Sequence, residues 1–289
     1  MAVMINIKTK DKQVLSGICY EALGSKTKGI VIVCPAMGVK QSFYKDFAHF
    51  MATQGFVTYT FDYRGMGASA KASLKNFSAD LMDWAIDIQA AFNYAKAKDE
   101  QLPIFAVTHS VGGQLLALTE TAKEWAGIVT VASQSGYWKH WSGKNKARMW
   151  FFWHLLLPGL TKSIGYFPAK RMGLFENLPK GVALQWASWG RHPLYLKREF
   201  PTAYFEDLTC AVRAYSFSDD EEFAPKPSVD WLHDQYKNAR IERLHIESKS
   251  LETKKVGHFG FFRSTMQPIF WEMIVSFFEN ESNKRLIKL

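Results

Sequence analysis

Cysteine is scarce in this chain: three residues, Cys19, Cys34 and Cys210, widely spaced and without the spacing of a metal site. That excludes a disulfide scaffold and a zinc ribbon. Two of the three sit in strand-like apolar stretches, which predicts buried thiols in a reducing compartment. Long hydrophobic runs are also missing. The longest, Met149 to Leu157, is interrupted by His154, ends at Pro158 and is too short to span a bilayer. The N-terminal residues show no basic region followed by an apolar run and a small-residue cleavage site. These features together predict a cytoplasmic protein. No block of five or six like charges occurs, and no nucleic-acid motif, internal repeat or low-complexity segment is present.

What the chain does have is core. Of 289 residues, 47% are hydrophobic and 22% charged, which fits a globular protein and excludes a disordered or fibrous one. The net charge is +9, and Lys and Arg read as spread along the chain among Asp and Glu. A basic surface attracts anionic substrates or acidic membrane lipids, and serves solubility equally well. The expected partner is therefore a small molecule, with at most a weak membrane-surface contact and no nucleic acid. The oligomeric state is not legible.

Residues 4–8 and 13–22 alternate as an antiparallel pair at a sheet edge. The run 29–34 is continuously apolar and β-branched, as in a strand buried on both faces. Further strands follow at 56–61, 104–107 and 126–132. Between them the spacing predicts helices from Phe43 to Gln54, from Ala79 to Lys96 with Ser78 as N-cap, and over 114–120. Strand–helix alternation of this kind implies a mostly parallel sheet covered on both faces. It stops over 136–205, a stretch dense in aromatics and broken by Pro158, Pro168, Pro179, Pro193 and Pro201. It resumes with a strand at 211–217, a helix from Val229 to Lys237, a strand at 240–246 and a helix from Pro268 to Phe278. The predicted organisation is a core of 1–135 and 206–289, with 136–205 inserted as a cap.

Thr108-His109-Ser110-Val111-Gly112-Gly113 joins a buried strand to a helix. A serine in that position, among small residues, has the pattern of a nucleophile elbow, whose strained turn lifts the hydroxyl out of the sheet edge. The usual glycine two residues before the serine is Thr108 here, which fits only where the neighbouring strand leaves room. A serine hydroxyl needs a base, and the base needs an acid to orient it. Phe217-Ser218-Asp219-Asp220 follows a late strand, and Gly257-His258-Phe259-Gly260 follows the last one.

With those residues in order, the chain resembles an α/β-hydrolase, similar to bacterial hydrolases of the serine aminopeptidase and lysophospholipase branch. The likeness rests on the turn 62–69 (Asp-Tyr-Arg-Gly-Met-Gly-Ala-Ser), the elbow, the acid loop and the stretch from Gly257 to Phe262. It implies Ser110 as nucleophile, His258 as general base and then acid, and an aspartate to hold the imidazole. The frame of such acid loops favours Asp220, followed three residues on by Phe223, with Asp219 the alternative. Oxyanion donors would be the backbone N–H groups of Val111 and Met37. Pro35-Ala36 stands where relatives often carry His-Gly, and Asp62 and Arg64 belong to a structural turn.

The resemblance implies no cofactor, and the histidines show no shared ligand spacing, so no metal is expected. His109 is expected to point away from the serine, in a packing or hydrogen-bonding role. Trp186 and Trp189, three apart, share a helix face that lines a pocket or fills the core of the insertion. The leading expectation is a serine hydrolase cleaving an ester or thioester with an apolar acyl group through an acyl-enzyme. The rivals are an acyltransferase with the same nucleophile and a non-catalytic binding protein of the same fold.

Overall fold

Continuous β-branched runs become the middle of a sheet. In a computed structural model describing residues 1–24, 26–253 and 255–286, the chain opens with strands β1 (Ala2–Lys8), β2 (Val14–Tyr20) and β3 (Gly29–Cys34). Helix α1 (Lys45–Thr53), strand β4 (Phe56–Phe61), helix α2 (Leu81–Lys98), strand β5 (Ile104–His109), helix α3 (Val111–Leu115) and strand β6 (Gly127–Val131) follow. The chain then leaves the sheet for helix α4 (Gly143–Phe151), helix α5 (Leu157–Ile164), a small antiparallel pair β7 (Tyr166–Phe167) and β8 (Leu178–Pro179), and helix α6 (Lys180–Gly190). It returns through β9 (Ala211–Phe217), α7 (Lys226–His233), β10 (Arg240–Ile246) and α8 (Glu272–Leu286).

The eight-stranded sheet has the order β1-β2-β4-β3-β5-β6-β9-β10. β2 pairs antiparallel with β1 and β4, and every other pairing is parallel. Alternate residues of β3 serve opposite faces, because successive side chains of a strand point to opposite sides. Ile30, Ile32 and Cys34 pack with Leu81, Trp84 and Ile88 of α2. Val31 and Val33 pack with Phe47 and Met51 of α1 and Ile274 and Phe278 of α8. The outer strand β10 carries Arg240, Glu242 and Arg243, charges that keep an open edge from pairing with another chain. All three cysteines are free thiols; Cys34 is buried and the other two are half-buried. Among the described residues, no helix is long and apolar enough to cross a membrane.

Several helix ends differ from expectation. The N-cap of α2 is Asp80 rather than Ser78: its carboxylate accepts from Asp83 N–H at 3.0 Å, and Asp83 accepts in return from Asp80 N–H at 3.0 Å. This reciprocal pair satisfies two backbone donors that a serine cap would satisfy singly. Helix α3 begins directly after Ser110 instead of at Gln114 and ends at Leu115; a 3-10 turn over Leu116–Leu118 follows, where Thr119 Oγ1 donates to the Leu116 carbonyl at 2.8 Å. α7 begins at Lys226, three residues earlier than expected, because Pro225 and Pro227 pre-set its first turn. It ends at His233, whose Nδ1–H bonds the Val229 carbonyl at 2.7 Å.

Two helices contain a widened turn near a proline. A π turn over Phe152–Leu156 joins α4 to α5 ahead of Pro158, and another over Gln267–Trp271 contains Pro268 and leads into α8. Pro158 has no N–H for the residue four before it, and its ring crowds that carbonyl, so the helix takes up an extra residue there. Pro268 stands in the first turn, where an N–H has no partner within the helix.

Candidate active site

The parallel strands end on one side of the sheet, and the chemistry-bearing loops gather there, as expected for an open α/β sheet. Ser110 leaves β5 with φ +51° and ψ −113°, a conformation that costs a non-glycine residue strain. The two glycines after it are required. A Cβ on Gly112 would lie 2.4 Å from the Cys34 carbonyl oxygen of β3. A Cβ on Gly113 would lie 2.3 Å from Ser133 Oγ and 2.8 Å from Thr108 Oγ1. Thr108 is therefore accommodated: its fully buried side chain occupies the space that Gly113 leaves, against Ser133.

His258 and Asp220 meet. His258 Nδ1 lies 2.7 Å from Asp220 Oδ2, with both side chains buried. The neighbouring Asp219 faces the other way, accepting from Ser248 Oγ at 2.5 Å, Val256 N–H at 2.8 Å and Gly257 N–H at 3.0 Å. Burial opposes its ionisation, but these donors outweigh that and hold its carboxyl below the usual range. It shapes the loop that carries the histidine.

His109 does point away from Ser110, into a hydrogen-bonded chain that joins three loops. Ala36 N–H donates to Tyr44 Oη at 2.9 Å; Tyr44 Oη and His109 Nδ1 are 2.9 Å apart; His109 Nε2 and the His258 carbonyl are 2.8 Å apart. A carbonyl only accepts, so Nε2 carries the proton and Tyr44 donates to Nδ1. Burial pushes His109 well below the ordinary histidine range and keeps it neutral. Asp62 and Arg64 do not pair with each other. Asp62 accepts from Gln41 N–H at 2.8 Å and Ala68 N–H at 2.9 Å, and Arg64 Nε reaches Asp87 at 2.8 Å. Both fix the turn beside the site.

Ser110, His258, Ala36 and Met37 line one cavity of about 260 Å³. Its far wall comes from the segment between β6 and β9 and is apolar: Phe152, Trp153, Leu156, Met172, Phe175 and Trp186. Of the two tryptophans singled out by spacing, only Trp186 reaches it. Trp189 lies outside, fully buried, its Nε1–H on Glu199 Oε2 at 2.8 Å and its ring edge-on to Tyr195. Residues three apart are offset on a helix face, and here the offset separates wall from core. Val111 is the first residue of α3, so its N–H has no partner within the helix.

Gln134 was not singled out by the sequence. Its Nε2 donates to the Phe223 carbonyl at 3.2 Å, which turns Oε1 toward Ser110 Oγ and Gln114 Nε2, each 3.4 Å away. Gln114 in turn accepts from Tyr195 Oη at 2.8 Å, which accepts from Trp186 Nε1 at 3.0 Å. The available signal was position alone: Gln134 lies just past the end of β6, the strand beside the one that carries Ser110.

A family model described as serine aminopeptidase, S33, matches residues 25–187, more than half of the chain. The chain belongs to that family. No curated protein matches the sequence. Among solved structures, this S33 member is similar to a thermostable carboxyl esterase from Bacillus coagulans, at TM-score 0.63 and 12% identity over 97% of this chain and 99% of that one. It is also similar to the esterase Pf2001 from Pyrococcus furiosus, at TM-score 0.61 and 15% identity over 96% and 90%. A Staphylococcus aureus protein of unknown function matches at 0.63 and 14% over 97% and 99%. The fold is the α/β-hydrolase fold, and the protein is an α/β hydrolase. The S33 match contains Ser110 and ends before Asp220 and His258.

Proposed function

We propose that this hydrolase cleaves a carboxylic ester or thioester with an apolar acyl group, using Ser110, His258 and Asp220. The observation that carries the reading is the 2.7 Å contact of His258 with Asp220 at the cavity that Ser110 opens into. Asp220 holds Nδ1–H, which leaves Nε2 as the base. In the first half-reaction Nε2 takes the Ser110 proton as Oγ bonds the acyl carbon, then returns it to the departing alcohol or thiol. In the second, water bonds the acyl carbon, giving its proton to Nε2, and Ser110 leaves with that proton. The Val111 and Met37 N–H groups face the oxyanion. The unliganded Ser110 hydroxyl rests on Gln134 and turns to His258 as substrate enters, since such bonds tighten in the complex.

Residues 136–205 act as a cap over the core of 1–135 and 206–289. The cavity, of about 260 Å³ and walled by apolar side chains, suits an acyl chain of medium length. Each added methylene then raises kcat/KM by about fourfold until the cavity is full, and no further. The test is labelling by a fluorophosphonate probe, followed by hydrolysis of p-nitrophenyl esters from acetyl to palmitoyl. Labelling lost in both Ser110→Ala and His258→Ala, with an optimum at medium chain length, is the expected result. Equal labelling of Ser110→Ala and wild type overturns it.

A further inference from the structure

Charge in this chain is not spread evenly, as it reads along the sequence. Of 36 Lys and Arg and 27 Asp and Glu, residues 136–205 hold 11 and 2, which leaves 25 and 25 for all the rest. The whole net charge of +9 therefore belongs to the segment over the cavity. Its two acids are engaged: Glu176 lies 3.3 Å from Lys170 and 3.5 Å from Lys40, and Glu199 accepts from Gln185 and Trp189.

The same segment carries large apolar side chains that are about half exposed. The helical run from α4 through the π turn to α5 buries Trp153, Leu157 and Thr161 and turns another face outward. That outer face reads Lys144, Arg148, Phe151, Leu155, Gly159 and Lys162, all exposed; Arg148 is paired with Glu222 of the acid loop, so the lysines carry its unpaired charge. Phe151 is 48% exposed, Leu155 53% and the adjoining Trp150 41%. Phe151 and Arg148 also line the cavity, as do the exposed Met172 and Leu174, so these side chains form the rim of its mouth. Apolar side chains left outside a core, bordered by cations, mark a surface made for contact.

We infer that this face docks on an anionic phospholipid bilayer, with the cavity mouth toward the lipid. The orientation rests on the proposed function; the docking itself does not. A helix with aromatic and aliphatic side chains on its outer face and lysines at both ends suits the headgroup boundary, with the apolar groups entering the acyl region and the lysines meeting lipid phosphates. The charge balance supports this over a purely apolar partner. Trp150, Phe151 and Leu155 support it over an acidic protein, which would use the cations and gain little from them. A substrate carried in the membrane would then reach Ser110 without crossing water.

The test measures co-sedimentation of Ser110→Ala protein with vesicles of phosphatidylcholine alone and of phosphatidylcholine with phosphatidylglycerol. Expected is binding at least about tenfold tighter to the anionic vesicles, weakened by salt. Lys144→Glu, Lys146→Glu (Lys146 being the next exposed lysine of α4) and Lys162→Glu together reduce it by about fivefold or more for each lysine. Trp150→Ser with Leu155→Ser reduces it by about tenfold. Both sets, made with Ser110 intact, hydrolyse a dissolved short-chain ester at the wild-type rate, which shows that the variants fold. Equal binding to both vesicle types, or full binding by the Trp150→Ser, Leu155→Ser variant, overturns the inference. So does binding to an acidic acyl carrier protein in place of vesicles, lost with the lysines alone. Because the vesicle assay uses Ser110→Ala, an absence of esterase activity leaves its result standing.

Discussion

The loops after β3, β5 and β10 are tied by hydrogen bonds of 2.8–2.9 Å among Ala36, Tyr44, His109 and His258, whereas the helical run above them leaves Phe151 and Leu155 about half exposed. The first region is buried, polar where it matters and satisfied by specific partners. The second is basic and apolar: Arg148 pairs with Glu222, while Phe151 and Leu155 face outward. Position must be held to fractions of an ångström where bonds are made and broken. Capture of an apolar chain needs only shape and surface, because the hydrophobic effect has no direction.

The largest expected contrast lies between adjacent aspartates. Asp220→Asn lowers kcat by about 10⁴-fold, because an amide holds the imidazole in the wrong tautomer. Asp219→Asn leaves kcat within a few-fold and lowers stability by roughly 1–3 kcal/mol, since its loop loses a charged acceptor. Steady-state kinetics beside denaturant unfolding of the two variants checks both.

A smaller effect is one of pH and belongs to the buried side of the comparison. Burial pushes His233 down to about 4 from an ordinary 6.5, and His109 lies well below 6.5 for the same reason. Below pH 6.5 the unfolded chain takes up protons that these folded imidazoles refuse. Stability is therefore lost as pH falls from about 6.5 to about 4, with roughly 3 kcal/mol from His233 alone. Unfolding followed across that range should show it, and His233→Gln should flatten the slope.

The smallest effect is one of selectivity. Trp186→Ala enlarges the cavity wall and shifts the preferred acyl chain to greater length, changing the long-to-short ratio of kcat/KM by about tenfold. Trp189→Ala, outside the wall, leaves that ratio unchanged and costs about 3–5 kcal/mol of stability. Ester series on both variants separate wall from core.

The sheet was legible because burial on both faces writes itself as unbroken runs such as Ile30 to Cys34, and parallel pairing follows from strand–helix alternation. The loops that carry Ser110, Asp220 and His258 were legible because each follows a strand, whereas the preference for Asp220 over Asp219 came from the resemblance. Helix starts were less so: Ser78 and Asp80 are both able to cap, and only the carboxylate of Asp83, three residues after Asp80, distinguishes them. Gln134 and Tyr44 left no trace, since their partners lie 24 and 65 residues away along the chain. The outward face of the apolar run around Trp153 left no trace, because side-chain type does not say which face of a helix meets a neighbour.

The neutrality of His109 bears on proton traffic. On the proposed mechanism, His258 becomes a cation twice in each turnover, with the His109 ring centred 5.0 Å away. A second imidazole so close would ordinarily compete for that proton or repel it. Here one nitrogen is spent on the His258 carbonyl and the other is occupied by the Tyr44 hydroxyl. The neighbour is thus an insulator, and a proton picked up by His258 goes on to the leaving group or back to Ser110 rather than sideways into the core.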